Sequence, residues 1–313
     1  MGALNASADC ALRDVLAVLA DANYDFVTPT PLTHARVLAR SPSRHGLSLA
    51  EIFGWNLAFE RNAIEPRLLD LLIAGEALEP RGDLVASRYR IARCADRLFL
   101  HGAFPTLAAD AVFLGPDSYR FAAFLRRELR GSRAGLRIAD VGAGAGVGAL
   151  AAAGCCPGAA LTLTDLNPEA LRLARINAAA AGVEVEAVET DTLEGVPGFF
   201  DVIVANPPYL ADPAHRLYRD GGGEHGAHVS ASWTRAALAR LAPGGRFLLY
   251  TGSAIVSGAD LLRAVLERLA QRGGCTFAYE EIDPDVWSED LLRPDYADAD
   301  GIAVVGAVFT RSA

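Results

Sequence analysis

The stretch Asp140-Val141-Gly142-Ala143-Gly144-Ala145-Gly146-Val147-Gly148 stands between an apolar run at 136–141 and an Ala-rich segment at 147–154. The first reads as a buried strand and the second as a helix. The glycines therefore fall on a strand-to-helix turn, where a ligand can approach the backbone closely. The spacing is DxGxGxG. A dinucleotide-binding GxGxxG would need Gly at 147, where Val147 stands, and the register that starts at Gly144 fails at Ala149. Downstream, strand patterns at 160–165, 183–189, 200–205, 246–250, 276–282 and 302–310 alternate with helical patterns at 168–181, 229–241 and 259–271. Such alternation predicts an α/β fold, a mostly parallel sheet with helices on both faces. Pro168 suits the first turn of its helix, and Pro243-Gly244-Gly245 predicts a turn before 246.

Upstream the pattern differs. Leu12, Val15, Leu16 and Leu19 repeat at helical spacing, Thr28-Pro29-Thr30-Pro31 breaks the run, and further helical patterns occur at 32–40, 48–59 and 66–75. Residues 84–92 and 97–100 then read as a short hairpin. A chain of 313 residues exceeds what one core usually organises. Two domains are expected: a helical, winged-helix-like domain at 1–110 and an α/β domain at 111–313. Arg88, Arg90 and Arg93 would lie on the wing, either as a nucleic-acid contact or as a solvated face of a dimerisation or substrate-covering module. The second reading fits the charge better, since residues 1–130 carry 15 acidic and 15 basic side chains.

The whole net charge of −9 sits in the remainder, which weakens nucleic acid as a partner. Apolar residues at 51% and charged residues at 21% are the profile of a soluble globular enzyme. All basic side chains are arginine, so Schiff-base chemistry is excluded. Five cysteines form no CxxC pair, which predicts reduced thiols and no structural zinc. No membrane span is implied, and Met1-Gly2-Ala3-Leu4-Asn5-Ala6-Ser7 has neither the basic flank nor the apolar core of a leader, so a cytoplasmic location is expected. The apolar N-terminal helices suggest a homodimer through that domain.

Candidate site residues cluster at strand ends. Asp140 closes the first strand and Asp165 the second, where a carboxylate can accept from a ribose diol, and Asp191-Thr192 follows the third. Asp191 also suits a helix N-cap. Asn206-Pro207-Pro208-Tyr209 follows the fourth strand, and two prolines there argue against a strand interior.

Together these motifs resemble the class I S-adenosylmethionine-dependent methyltransferases. Within them the chain is similar to the amino-methyltransferase branch of release-factor glutamine, adenine N6 and guanine N2 enzymes, over roughly residues 112–310. The resemblance implies a seven-stranded, Rossmann-like sheet with its last strand antiparallel, and S-adenosylmethionine as cofactor. It implies cofactor binding by Asp140, Gly142, Gly144, Gly146, Asp165, Leu166, Asp191, Thr192 and Asn206. Catalysis would fall to Asn206, Pro207, Pro208 and Tyr209. Gly115-Pro116-Asp117-Ser118-Tyr119 resembles the segment that closes over the cofactor's methionine end. Asp220-Gly221-Gly222-Gly223-Glu224-His225-Gly226 partly resembles a glycine-rich loop of the glutamine enzymes. The implied reaction is methylation of a nitrogen conjugated with a planar group. The acceptor would be a protein glutamine amide or a small planar metabolite, with a nucleic-acid base as the alternative. A non-catalytic cofactor-binding regulator lies outside enzymology, and intact Asp140 and Asn206 argue against it.

Glu224, His225 and His228 match no metal-binding spacing, so no metal is expected and the loop reads as a substrate mouth or a solvated surface. Arg216 and Arg219 read as exposed arginines. Trp55, Trp233 and Trp287 read as packing residues.

Overall fold

The computed structural model describes residues 7–41 and 44–313, with Glu224 described by its backbone alone. The stretch 1–6, on which the leader argument falls, lies outside the described residues.

The N-terminal part begins with α1 (Ser7–Asp21), α2 (Pro31–Ala39) and α3 (Pro66–Ala74). Thr30 caps α2 by accepting from the Thr33 amide at 3.2 Å, with Pro31 at the first position. The expected helix at 48–59 is only a π-turn at Ala50–Gly54. Two hairpins follow where one was expected: β1 (Leu78–Arg81) pairs with β2 (Leu84–Ser87), and β3 (Tyr89–Cys94) pairs with β4 (Arg97–Gly102). The run 84–92 breaks at Arg88 because Ser87 turns the chain: its hydroxyl donates to the Tyr89 carbonyl at 2.6 Å.

The α/β part contains α4 (Pro116–Glu128), β5 (Arg137–Val141), α5 (Val147–Cys155), β6 (Ala160–Asp165), α6 (Pro168–Ala180), β7 (Glu186–Glu189), β8 (Phe200–Ala205), α7 (His228–Leu238), β9 (Leu241–Val256), the two-residue β10 (Ala259–Asp260), α8 (Leu261–Arg272), β11 (Cys275–Asp283) and β12 (Ala299–Arg311). The sheet order is β11-β12-β9-β8-β5-β6-β7, with β10 returning along β9. Strands β9, β8, β5, β6 and β7 are parallel, and β12 runs antiparallel between β11 and β9. This is the expected mostly parallel, seven-stranded path. The turn expected at 243–245 is instead absorbed into β9. Phe200 pairs with Leu241 but Val202 pairs with Arg246, so the intervening residues bulge out of the ladder.

The two parts share one core. Leu12, Val15, Leu16 and Leu19 of α1 are buried in the same cluster as Leu171, Leu173 and Ile176 of α6. Full burial of each such side chain is worth ~1.5–3 kcal/mol, so the apolar face that suggested a dimer is occupied within the chain. Asn177 of α6 accepts from the Leu100 amide at 2.8 Å and donates to the Leu100 carbonyl at 3.0 Å. Hairpin β3–β4 is therefore docked on α6. Of the expected wing arginines, Arg90 is buried and donates to the Gly54 carbonyl at 3.0 Å, while Arg93 holds Asp25 at 3.0 Å and the Tyr24 carbonyl. Only Arg88 keeps an exposed side chain. No helix among the described residues is long and apolar enough to cross a membrane.

Candidate active site

The chain order reverses between β5 and β8, and ligands of open α/β sheets bind at the carboxyl ends of strands beside such a switch. A cavity of about 300 Å³ opens there, at the lower end of the ~300–1,000 Å³ common for ligand sites. Asp140, Gly142, Gly144, Asp165, Leu166, Asp191 and Asn206 to Tyr209 all line it.

Gly142 and Gly144 have φ of +68° and +52°. A side chain at Gly142 would collide with the Trp233 ring, whose nearest atom lies 2.3 Å from an added Cβ, whereas nothing lies within 4 Å of one at Gly144. The backbone at Gly144 is therefore open to the cavity. Gly146 and Thr192 do not line it. An added Cβ at Gly146 would stand 3.2 Å from that of Ala174, so this glycine lets α5 approach α6.

Asp165 closes the turn by accepting from the Gly144 amide and the Asn167 amide, both at 2.9 Å. Asp140 is buried and accepts from the Ala149 amide at 2.7 Å. Burial pushes its carboxyl up to about 7; the amide bond opposes this and the charge of Asp165 adds to it. Asp191 follows β7 without starting a helix, so it is not an N-cap, and it accepts from the Trp233 indole at 3.3 Å. Trp233 is thus both core and cavity wall.

The Asn206 side chain is half-buried and makes no hydrogen bond to the described residues. Tyr209, to which the resemblance assigns a part in catalysis, is largely enclosed. It is 7% exposed, and its ring lies where a side chain at Gly252 would stand, 2.1 Å from an added Cβ. Its hydroxyl accepts from the Trp287 indole at 2.9 Å. Asp117, buried at the start of α4, accepts from Tyr250 at 3.1 Å and is also bonded by Tyr209, and burial raises its pKa despite these bonds.

The glycine-rich loop packs on this turn. An added Cβ at Gly221 would stand 2.7 Å from the Tyr209 Cα, and one at Gly226 would stand 2.3 Å from the Tyr209 carbonyl oxygen. Glycine is required by this approach. The His225 ring pairs with Asp298 at 2.8 Å, and neither it nor His228 lines the cavity.

Arg216 and Arg219 are not the exposed pair expected. Arg216 forks onto buried Asp212 at 2.7 and 2.8 Å and holds that carboxyl below its usual range; Arg219 pairs with buried Asp290 and lies 4.9 Å over the Trp287 ring. Both line the cavity beside Phe113, Tyr218 and Trp287. Asn167 was also missed. It caps α6 through the Glu169 amide at 3.0 Å and donates to the Asp110 carbonyl at 2.6 Å, pinning the segment before α4 beside the cavity. An Asn directly before Pro168 was a readable cap signal.

Sheet order, glycine turn and strand-end carboxylates define a class I methyltransferase fold. The sequence model of the methyltransferase small domain matches residues 119–271. The chain is 32% identical to a release factor glutamine methyltransferase of Bordetella pertussis, over 76% of this chain and 87% of that protein. It is 46% identical to one from Deinococcus radiodurans over 36% of this chain, spanning 44% of that protein's length. A ribosomal RNA small subunit methyltransferase C of Serratia proteamaculans is 32% identical over 44% of this chain and 37% of its own length. The chain belongs to the small-domain methyltransferase family, whose cofactor is S-adenosylmethionine. The cavity suits that cofactor: an open Gly144 backbone, with carboxylates at three strand ends for a cationic nucleoside.

Proposed function

We propose that this enzyme methylates a nitrogen conjugated with a planar group, with a protein glutamine amide as the acceptor favoured first. The observation that carries the reading is Asn206, whose amide has no partner among the described residues and stands in the cavity wall beside Pro207. Bound S-adenosylmethionine supplies an activated methyl group. Asp140 and the turn at Gly142 and Gly144 would hold its amino-acid part, Asp165 the ribose and Asp191 the adenine amine. The Asn206 side-chain oxygen and the Pro207 carbonyl accept the two N–H bonds of the acceptor, which favours a pyramidal nitrogen with its lone pair toward the methyl group. The same oxygens stabilise the positive charge that develops on nitrogen, and this charge is discharged when one N–H proton passes to water after transfer. Pro207 and Pro208 hold the acceptors rigid without an ordering cost.

The relative aligned over most of the chain supports the glutamine amide. The ribosomal RNA relative supports a nucleic-acid base as the second reading, and the engagement of all three hairpin arginines within the chain speaks against it. The test is transfer of radiolabelled methyl groups into extract of cells lacking the enzyme, sorted into protein, nucleic-acid and small-molecule fractions. Label in protein that Asn206→Ala abolishes supports the first reading, and Asn206-dependent label in nucleic acid supports the second. Turnover by Asn206→Ala equal to wild type removes the mechanism.

A further inference from the structure

The connection between β11 and β12 reaches the acceptor side of the site from the far end of the chain. It carries Trp287, Asp290, Arg293 and Tyr296, and each of them meets the segment that follows β8. Trp287 donates to the Tyr209 hydroxyl at 2.9 Å, Asp290 pairs with Arg219, Arg293 approaches Asp212 at 3.6 Å, and Tyr296 accepts from the Ala211 amide at 2.9 Å. Trp287 is fixed from several sides. Its φ is +56°, the Val286 amide is bonded to the Ile302 carbonyl at 2.9 Å, and its carbonyl accepts from the Asp290 amide at 2.8 Å. Arg219 covers the indole, and Phe113 lies 6.3 Å away. A bulky residue in the left-handed region persists where its surroundings over-determine it.

We propose that Trp287 is a positioning residue for methyl transfer: its indole N–H holds the Tyr209 hydroxyl and so fixes the turn carrying the Asn206 and Pro207 acceptors. This rests on the nitrogen-methylation reading above. Tyr209 is backed by Gly252 on one side and by the glycine-rich loop along its backbone, and at its polar end it is tied by the indole and by Asp117. Trp287→Phe keeps a ring against Arg219 and Phe113, removes the N–H and shrinks the side chain by one fused ring. Tyr209→Phe removes the same bond from its other end, together with the bond to Asp117.

The experiment measures initial rates for wild type, Trp287→Phe, Tyr209→Phe, the double variant and Asn206→Ala, using whichever extract fraction takes label from wild-type enzyme. Amide hydrogen exchange at Leu210 and Ala211 is followed in parallel. Each single variant should turn over at least about tenfold more slowly with the half-saturating S-adenosylmethionine concentration changed less than about twofold, and the double variant should be no slower than Tyr209→Phe alone. Exchange at Leu210 and Ala211 should quicken in Trp287→Phe while β5 amides exchange as in wild type, a split that general loss of packing would not give. Additive losses, a wild-type rate in Trp287→Phe, or unchanged exchange at both amides would overturn the proposal. The exchange result stands even if no fraction takes label, and full activity in Asn206→Ala would instead strike the nitrogen-methylation reading itself.

Discussion

Asn177 of α6 holds Leu100 of the N-terminal hairpin by both of its backbone groups, at 2.8 and 3.0 Å, and with the same amide nitrogen it holds the Ala145 carbonyl of the glycine turn at 2.9 Å. One fully buried side chain thus ties the N-terminal part of the chain to the glycine turn. Asn177→Ala strands three peptide groups away from water, each costing ~1–3 kcal/mol when left unpaired. The variant should lose about 3–5 kcal/mol of stability and bind S-adenosylmethionine more weakly, because Ala145 is released. Denaturant melts and calorimetric titration check both; an unchanged midpoint refutes the bridge.

Burial of Asp140 predicts a pH effect with a definite sign. Its carboxyl titrates near 7 in the folded chain, above its ordinary 3.8, so the protonated form is favoured by folding. The stability this contributes is complete below 3.8 and is lost as pH rises through about 7. Asp140→Asn should therefore melt above wild type at alkaline pH and level with it in acid. A cationic cofactor favours the ionised form, so wild-type affinity for S-adenosylmethionine should rise as pH passes through about 7, with proton release on binding, and this dependence should vanish in Asp140→Asn. Titrations in buffers of different ionisation enthalpy measure the protons released.

Gly252 is the space that the Tyr209 ring occupies. Gly252→Ala puts a methyl group into that ring and should cost ~1–3 kcal/mol by overpacking. Turnover should fall about tenfold as the tetrapeptide shifts. Cofactor affinity should hold, because Asp140 and Asp165 lie on other strands and Asp191 follows β7. Equal losses in binding and turnover would place Tyr209 differently.

Trp233 orients Asp191 through its indole nitrogen at 3.3 Å. In Trp233→Phe the bond is gone together with the outer ring atoms that lie over Gly142, so S-adenosylmethionine should bind at least about fivefold more weakly, a loss that starts at one hydrogen bond of ~1 kcal/mol. S-Adenosylhomocysteine should weaken equally, since it carries the same adenine, and a loss confined to one ligand would argue against the adenine contact.

The sequence by itself determined the sheet, its order of strands and helices, and the turn that carries Asp140, Gly142 and Gly144. These rest on local periodicity and on glycine's access to positive φ, both of which are written in neighbouring residues. It also brought Asp165, Asp191 and Asn206 to the cavity wall, because each stands at the end of a legible strand or within two residues of it. Gly146 shows the limit of that reading: it matched the spacing, yet its missing Cβ serves the contact between α5 and α6. What only the tertiary structure decided was the acceptor side. Trp287 is 78 residues from Tyr209 in sequence, and Asp290 is 71 from Arg219, so no periodicity links them. Arg216 and Arg219 look like surface charges in the chain and become cavity walls because buried Asp212 and Asp290 neutralise them. Long-range pairing of this kind depends on how β12 inserts between β11 and β9, which is a property of packing and not of any local segment.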